Sequence, residues 1–188
     1  VFSELLNWKK RMDRKPLILR GARQVGKSTL IHQFAESYKN KILLNLEIAG
    51  DKRFFTDFNT INTIVDSLFI SYNIPTAEKG DTIIFIDEIQ ESPEAISMLR
   101  YFYENEPDIH VIAAGSLLEH AMRKVSSFPV GRVNMLYMFP INYPEFLHAI
   151  QKTVALEQLN TIPIQEVSHK TLLDLFNRYA IIGGMPEV

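Results

Sequence analysis

The chain has 188 residues, 46% hydrophobic and 22% charged, with a formal net charge of −2. That size and apolar content sustain a full core in one domain with a small appendage, and the near-neutral charge excludes both a general basic field for nucleic acid and an acidic, disordered chain. With no cysteine, disulfides, thiol nucleophiles and thiolate metal sites are excluded, which accords with a reducing cytoplasm.

The chain opens on Val1 and ends on GGMPEV, and it is expected to be a fragment of a longer protein. No apolar run approaches the roughly 20 residues of a membrane-spanning helix, and no signal-peptide pattern opens the chain. The first distinctive stretch, KKRMDRK from Lys9 to Lys15, carries five basic residues and one acid. Such a run can meet nucleic-acid phosphates or a membrane surface, or lie near a ligand pocket, but a solvated helix face leading into the first strand is the expectation.

Pro16 to Arg20 is a short run of branched apolar residues that suits a strand buried on both faces. GARQVGKST, Gly21 to Thr29, follows it, and a helix marked by Leu30, Ile31, Phe34, Ala35 and Tyr38 comes next. Gly21, Gly26, Lys27 and Ser28 fit the pattern G-x-x-x-x-G-K-S/T in its required context of strand before and helix after. Gly21, Ala22, Arg23, Gln24, Val25, Gly26, Lys27, Ser28 and Thr29 would then cradle a nucleoside triphosphate. Glycines let the backbone curl so that N–H groups face phosphate oxygens, and the helix start aims its positive end at the same anion. Lys27 is expected on the β- and γ-phosphates and Ser28 on Mg²⁺; the alternative is a glycine turn that merely contains lysine.

Lys41 to Glu47 reads as a second strand and Thr82 to Asp87 as a third, within TIIFIDEIQ. A carboxylate at the carboxyl end of a buried strand lies beside the crevice where open α/β sheets bind ligands, so Asp87 can hold Mg²⁺. Glu88 next to it can polarise a water for attack on the γ-phosphate, a general-base task that binding alone does not need. An exposed acidic turn is the other reading of the pair. Ser92-Pro93 resembles an N-cap and first-turn proline, with Ile96, Leu99 and Tyr103 on the buried face of the helix that follows; core packing, not base stacking, is expected of Tyr103.

His110 to Ala114 and Val133 to Met138 complete five strands. Strands alternating with helices imply crossover connections, hence a mostly parallel sheet between helical layers, a three-layer α/β fold. From Asn142 the pattern turns helical, with a helix in NYPEFLHAI and another marked by Leu172, Leu175, Phe176 and Tyr179 that ends before Gly183-Gly184. The expected division is a core at 1–140 and a helical segment at 141–188. The five histidines show no ligand spacing among themselves, so no transition-metal site is expected.

GARQVGKSTL, IFIDEIQ, AAGSLLE, GRVNMLYMFPINYPEFL and GGMPEV together resemble, in order and over nearly the whole chain, the prokaryotic AAA-type P-loop ATPases that carry a C-terminal domain of uncharacterised function. The resemblance implies sheet order 5-1-4-3-2, ATP with Mg²⁺, and a helical or winged-helix segment after the core. It gives Ser116 the place of the polar residue that senses the γ-phosphate or orients water, although Ser116 also suits an N-cap for a helix over Leu117 to Met122. Gln90 falls within the family's acidic-strand signature, where a solvated or loop-bonding residue is the plainer reading. Arg132 matches a Gly-Arg pair that can steady phosphate charge in the same chain or from a neighbour, or can form a surface ion pair.

The expected function is thus Mg²⁺-dependent ATP hydrolysis that switches an attached C-terminal domain or a partner. A non-hydrolysing nucleotide switch, a DNA-associated module acting partly through sequence beyond Val188, and a small-molecule kinase stand as alternatives. A homo-oligomer is open, because Arg132 serves a monomer or a ring.

Overall fold

The structure is a computed structural model that describes residues 1–116 and 129–186. The helix expected over Leu117 to Met122 lies outside those residues. The chain divides into two compact units, Val1–Met138 and Phe139–Val188.

The first unit is built on five strands, β1 Leu17–Arg20, β2 Asn40–Asn45, β3 Thr82–Asp87, β4 His110–Gly115 and β5 Asn134–Tyr137. They lie in the order β2-β3-β4-β1-β5, every pair parallel, which is the 5-1-4-3-2 arrangement. Parallel neighbours need long crossovers, and helices α1 Phe2–Lys9, α2 Lys27–Ala35, α3 Ala49–Thr56, α4 Ile61–Ser71 and α5 Pro93–Asn105 surround the sheet.

Successive strand residues point to opposite faces, and the core is accordingly double. Ile18, Ile42, Ile84, Ile86, Val111 and Ala113 pack with residues of α3, α4 and α5. Leu17, Leu19, Ile83, Phe85, Ile112 and Ala114 pack instead with Leu5 and Trp8 of α1 and with Ile31, Phe34 and Ala35 of α2. Each Leu, Ile or Phe so buried contributes roughly 1.5–3 kcal/mol, which is why runs apolar on both faces mark the central strands.

Ser92 caps α5 by accepting a hydrogen bond from Ala95 N at 3.2 Å, with Pro93 in the first turn. The buried stripe continues through Phe102 rather than Tyr103, because Ala95, Ile96, Leu99 and Phe102 keep the three- and four-residue spacing of one helix face. The basic run is not a solvated helix face. Helix α1 ends at Lys9, whose ammonium donates to the Ser37 carbonyl at 2.7 Å and lies 3.7 Å from the Tyr38 ring centre. Arg14 donates to the Pro107 and Asp108 carbonyls at 3.3 and 3.2 Å, so these two cations tie the N-terminal segment down.

The second unit holds α6 Tyr143–Ala149, α7 Thr153–Leu159 and α8 Glu166–Ile182. Asn142 and Glu145 form a reciprocal cap at the start of α6, at 3.0 and 2.8 Å. Phe146, Leu147, Leu172 and Leu175 make its small core. Gly184 lies against Ile141, whose N–H donates to its carbonyl at 2.8 Å, and a Cβ at 184 would run into the Ile141 oxygen. Among the described residues no helix is long and apolar enough to cross a membrane.

His110 begins β4 with only 6% of its surface exposed, its ring 4.9 Å from Tyr38 and 5.8 Å from Trp8. Burial, and secondarily the positive charges of Arg14 and Lys9, push its pKa down to about 4 against a raising backbone hydrogen bond at Lys9. The folded form therefore resists a proton that the unfolded chain accepts near pH 6.5. Stability is complete above that pH and falls as pH drops towards 4, by about 3 kcal/mol. Urea titrations across this range should show that loss in the wild type and a markedly flatter profile in His110→Phe, which keeps the ring packing; equal slopes would contradict the assignment.

Candidate functional site

In a parallel sheet the carboxyl ends of all strands share one edge, and the loop after β1, the end of β3 and the end of β4 meet there. Gly26, at φ +88°, is a backbone conformation that glycine adopts without a Cβ penalty, and it lets α2 begin at Lys27 directly after the loop. Val25 is buried and anchors the loop, while Ala22, Arg23, Gln24 and Thr29 are exposed.

Ser28 and Asp87, far apart in sequence, are joined by a 2.6 Å hydrogen bond from Ser28 Oγ to Asp87 Oδ2. Between β1 and β3 lies β4, and its small end residues make that meeting feasible. Leu19 pairs with Ala114 and Ile86 with Ala113, so Ala114 stands beside Asp87 on the face covered by α2. The other Asp87 oxygen accepts the Glu88 N–H at 3.0 Å, and the Asp87 carbonyl accepts Leu46 N–H at 3.1 Å, so the carboxylate is fixed in direction.

Lys27 is 8% exposed, and its ammonium donates to the carbonyls of Gly21 and Ala22 at 3.0 and 2.7 Å. Burial pushes its pKa down, while the negative charges of Glu88 and then Asp87 pull it up. A buried cation resting on neutral carbonyls can exchange them for charged phosphate oxygens, which make stronger charge-assisted bonds. Glu88 is partly buried at the same edge, with φ +50°. Gln90 donates its side-chain amide to Glu88 Oε2.

Ser116 directly follows Gly115, which pairs with Arg20. It therefore lies just past the end of β4 at the same carboxyl edge, half-buried. Arg132 is not brought there. It precedes β5, whose first residue Asn134 pairs with Leu17 at the start of β1, so it stands at the amino edge, about six residues or roughly 20 Å of strand from the phosphate loop. Its Nε donates to Glu104 Oε1 at 2.9 Å, and Arg100 Nε reaches the same carboxylate at 3.0 Å. These two guanidiniums, Arg132 first, hold the Glu104 carboxyl below its ordinary range. Within one chain the separation is beyond an arginine's reach to the loop.

A hydroxyl and a carboxylate, both hard oxygen donors, converge at Ser28 and Asp87. This set suits Mg²⁺, which takes one or two protein oxygens and fills its octahedron with water and phosphate. Among the described residues no group of three or more His, Cys, Asp or Glu gathers as a metal cluster, and Mg²⁺ beside a nucleotide requires none.

Gly21 has a role that local pattern does not reveal. Met138 N–H donates to the Arg20 carbonyl at 2.7 Å, and the chain leaving β5 runs so close that a Cβ on Gly21 would strike the Met138 oxygen. The first glycine of the loop thus admits the neighbouring strand as well as the turn. Only the pairing of β5 with β1 exposes that constraint.

A family profile described as an AAA domain matches residues 13–147. Among solved structures, a Walker-type ATPase of Pyrococcus abyssi aligns at TM-score 0.57 and 20% identity, over 98% of this chain and 63% of that one. Drosophila ORC bound to DNA aligns at TM-score 0.53 and 15% identity, over 94% of this chain and 52% of that one. Both share the fold, and this chain spans less than two thirds of either. No curated protein matches the sequence.

Gly21→Ala is expected to destabilise the first unit by about 1–3 kcal/mol through overpacking. Gly50→Ala, in α3 where a Cβ meets nothing within 4 Å, should be neutral or stabilising by about 0.5–1 kcal/mol. Thermal unfolding of the two variants checks this, and a Gly21→Ala melting point equal to wild type would refute the close approach.

Proposed function

The chain belongs to the AAA-domain family, as an ATP-binding module of the AAA type, and from that premise we propose that it hydrolyses ATP with Mg²⁺ at the carboxyl edge of its sheet. The observation that carries this reading is the 2.6 Å contact of Ser28 with Asp87 beside the buried Lys27 ammonium. Lys27 would leave the Gly21 and Ala22 carbonyls for the β- and γ-phosphates. Loop amides from Gly21 to Thr29 would line the phosphate chain at the start of α2, whose dipole favours the anion.

Ser28 Oγ and Asp87 would hold Mg²⁺, which when bound supplies charge neutralisation across the phosphate oxygens. Glu88 would orient a water and accept its proton as the water attacks the γ-phosphorus, and the β–γ bridging oxygen would depart with ADP. Ser116, just past the end of β4, would hydrogen-bond the γ-phosphate or that water. Arg132, remote from the loop of its own chain, would act on phosphate only from a neighbouring subunit in a homo-oligomer.

Hydrolysis would switch an attached domain or a partner, with 141–188 as the start of the connecting segment. The likeness to a DNA-bound ORC protein supports asking whether this chain meets nucleic acid. Lys9 and Arg14 already donate to carbonyls of the chain itself, so within the basic run only the exposed Lys10 and Arg11 and the half-buried Lys15 would be left to meet such a partner.

Single-turnover assays with Mg²⁺ and radiolabelled ATP test the chemistry. Glu88→Gln should slow phosphate release by about a hundredfold or more while still binding ATP. Wild-type turnover no faster than that of Glu88→Gln would sink hydrolysis and leave a nucleotide-binding switch.

A further inference from the structure

Glu88 has a left-handed backbone, φ +50° and ψ +44°, at the head of a 3₁₀ turn over Ile89–Glu91. A residue with a Cβ adopts that region uncommonly, and here the turn is pinned by buried Ile89 and by the hydrogen bonds Glu91 N to Glu88 O at 3.0 Å and Ser92 N to Ile89 O at 3.1 Å. The backbone thus fixes where the Glu88 side chain starts. Several rotatable bonds remain between there and its carboxylate.

Gln90 addresses those bonds. Its Nε2 donates to Glu88 Oε2, while its Oε1 is buried and accepts no hydrogen bond from any described residue. A glutamine kept only for packing or for turn stability would have both ends of its amide satisfied, or would be replaced by an apolar side chain of equal length, because a buried acceptor without a donor is costly. Among the described residues, the polar contact of this amide is the one with Glu88. Its position in the 3₁₀ turn, two residues on, lets one short element carry both the carboxylate and its holder.

We propose that Gln90 is a positioning residue that clamps the Glu88 carboxylate through its side-chain amide, leaving the second carboxylate oxygen to meet the attacking water. The inference rests on the ATPase reading, in which Glu88 serves the water. It assigns to Gln90 no contact with nucleotide or metal.

Gln90→Met keeps the length and removes the amide, and Gln90→Glu replaces the donor with a repelling carboxylate. The clamp predicts that Gln90→Met binds ATP with wild-type affinity and melts at or above the wild-type temperature, yet has a kcat lower by about ten- to a hundredfold; Gln90→Glu should be slower still. A kcat within twofold of wild type or above it, or a fall in kcat accompanied by an equal loss of ATP affinity, overturns the proposal. A readout independent of turnover is the Gln90 side-chain amide in ¹⁵N NMR. Its protons should exchange slowly in the wild type and shift and exchange faster in Glu88→Ala, and an amide indifferent to that substitution also overturns the clamp. If wild type hydrolyses ATP and Glu88→Gln does not, while Gln90→Met is unaffected, the clamp alone fails. If wild type has no turnover at all, the ATPase reading fails and the amide measurement still decides the contact.

Discussion

The hydrogen bond from Ser28 to Asp87 is the constraint around which the first unit is organised, because it ties the first turn of α2, which follows β1, to the end of β3, a strand that does not neighbour β1. Three separate features of the sequence have to agree for it to form. Gly26 must take a positive φ so that α2 starts one residue before Ser28. The run Ile83 to Ile86 must be buried on both faces so that β3 ends at Asp87 and not earlier. The end of β4 must be narrow, and Ala113, Ala114 and Gly115 make it so.

The two edges of the sheet divide the charged side chains by task. At the carboxyl edge, Lys27 sits among loop carbonyls and near two carboxylates, a cation with partners that a phosphate can outcompete. Elsewhere four cations are tied to the chain itself. Lys9 and Arg14 hold the N-terminal segment through main-chain carbonyls, and Arg132 with Arg100 brackets Glu104 at the amino edge. A formal charge of −2 therefore hides a strongly local arrangement, and local placement sets where an anionic ligand is drawn.

Much of this was legible in the sequence, for identifiable physical reasons. Five apolar runs announced five strands because central parallel strands are buried on both faces, and the loop and acidic pair are contiguous motifs whose chemistry is local. Helix α4 is not among the elements expected from the sequence, although Ile61, Ile64, Val65 and Leu68 repeat at helical spacing behind a Thr60 cap. Other features have no local signature. The tie of Arg14 to Pro107 and Asp108, the distance of Arg132 from the loop, the approach of Met138 to Gly21 and the orphaned amide oxygen of Gln90 all depend on which strands lie side by side. A motif such as Gly-Arg before a strand records the residue type but not the edge of the sheet on which it falls.

The central claim is that Ser28 and Asp87 form the metal-binding half of a nucleotide site whose other half is the loop with Lys27. Calorimetric titration of ATP with Mg²⁺ and with EDTA, on wild type and Asp87→Asn, tests it most directly. Mg²⁺ should tighten ATP binding to the wild type, and Asp87→Asn should lose this metal-dependent gain while keeping the metal-free affinity. Equal ATP affinity with and without Mg²⁺ in the wild type, or a gain undiminished in Asp87→Asn, would contradict it.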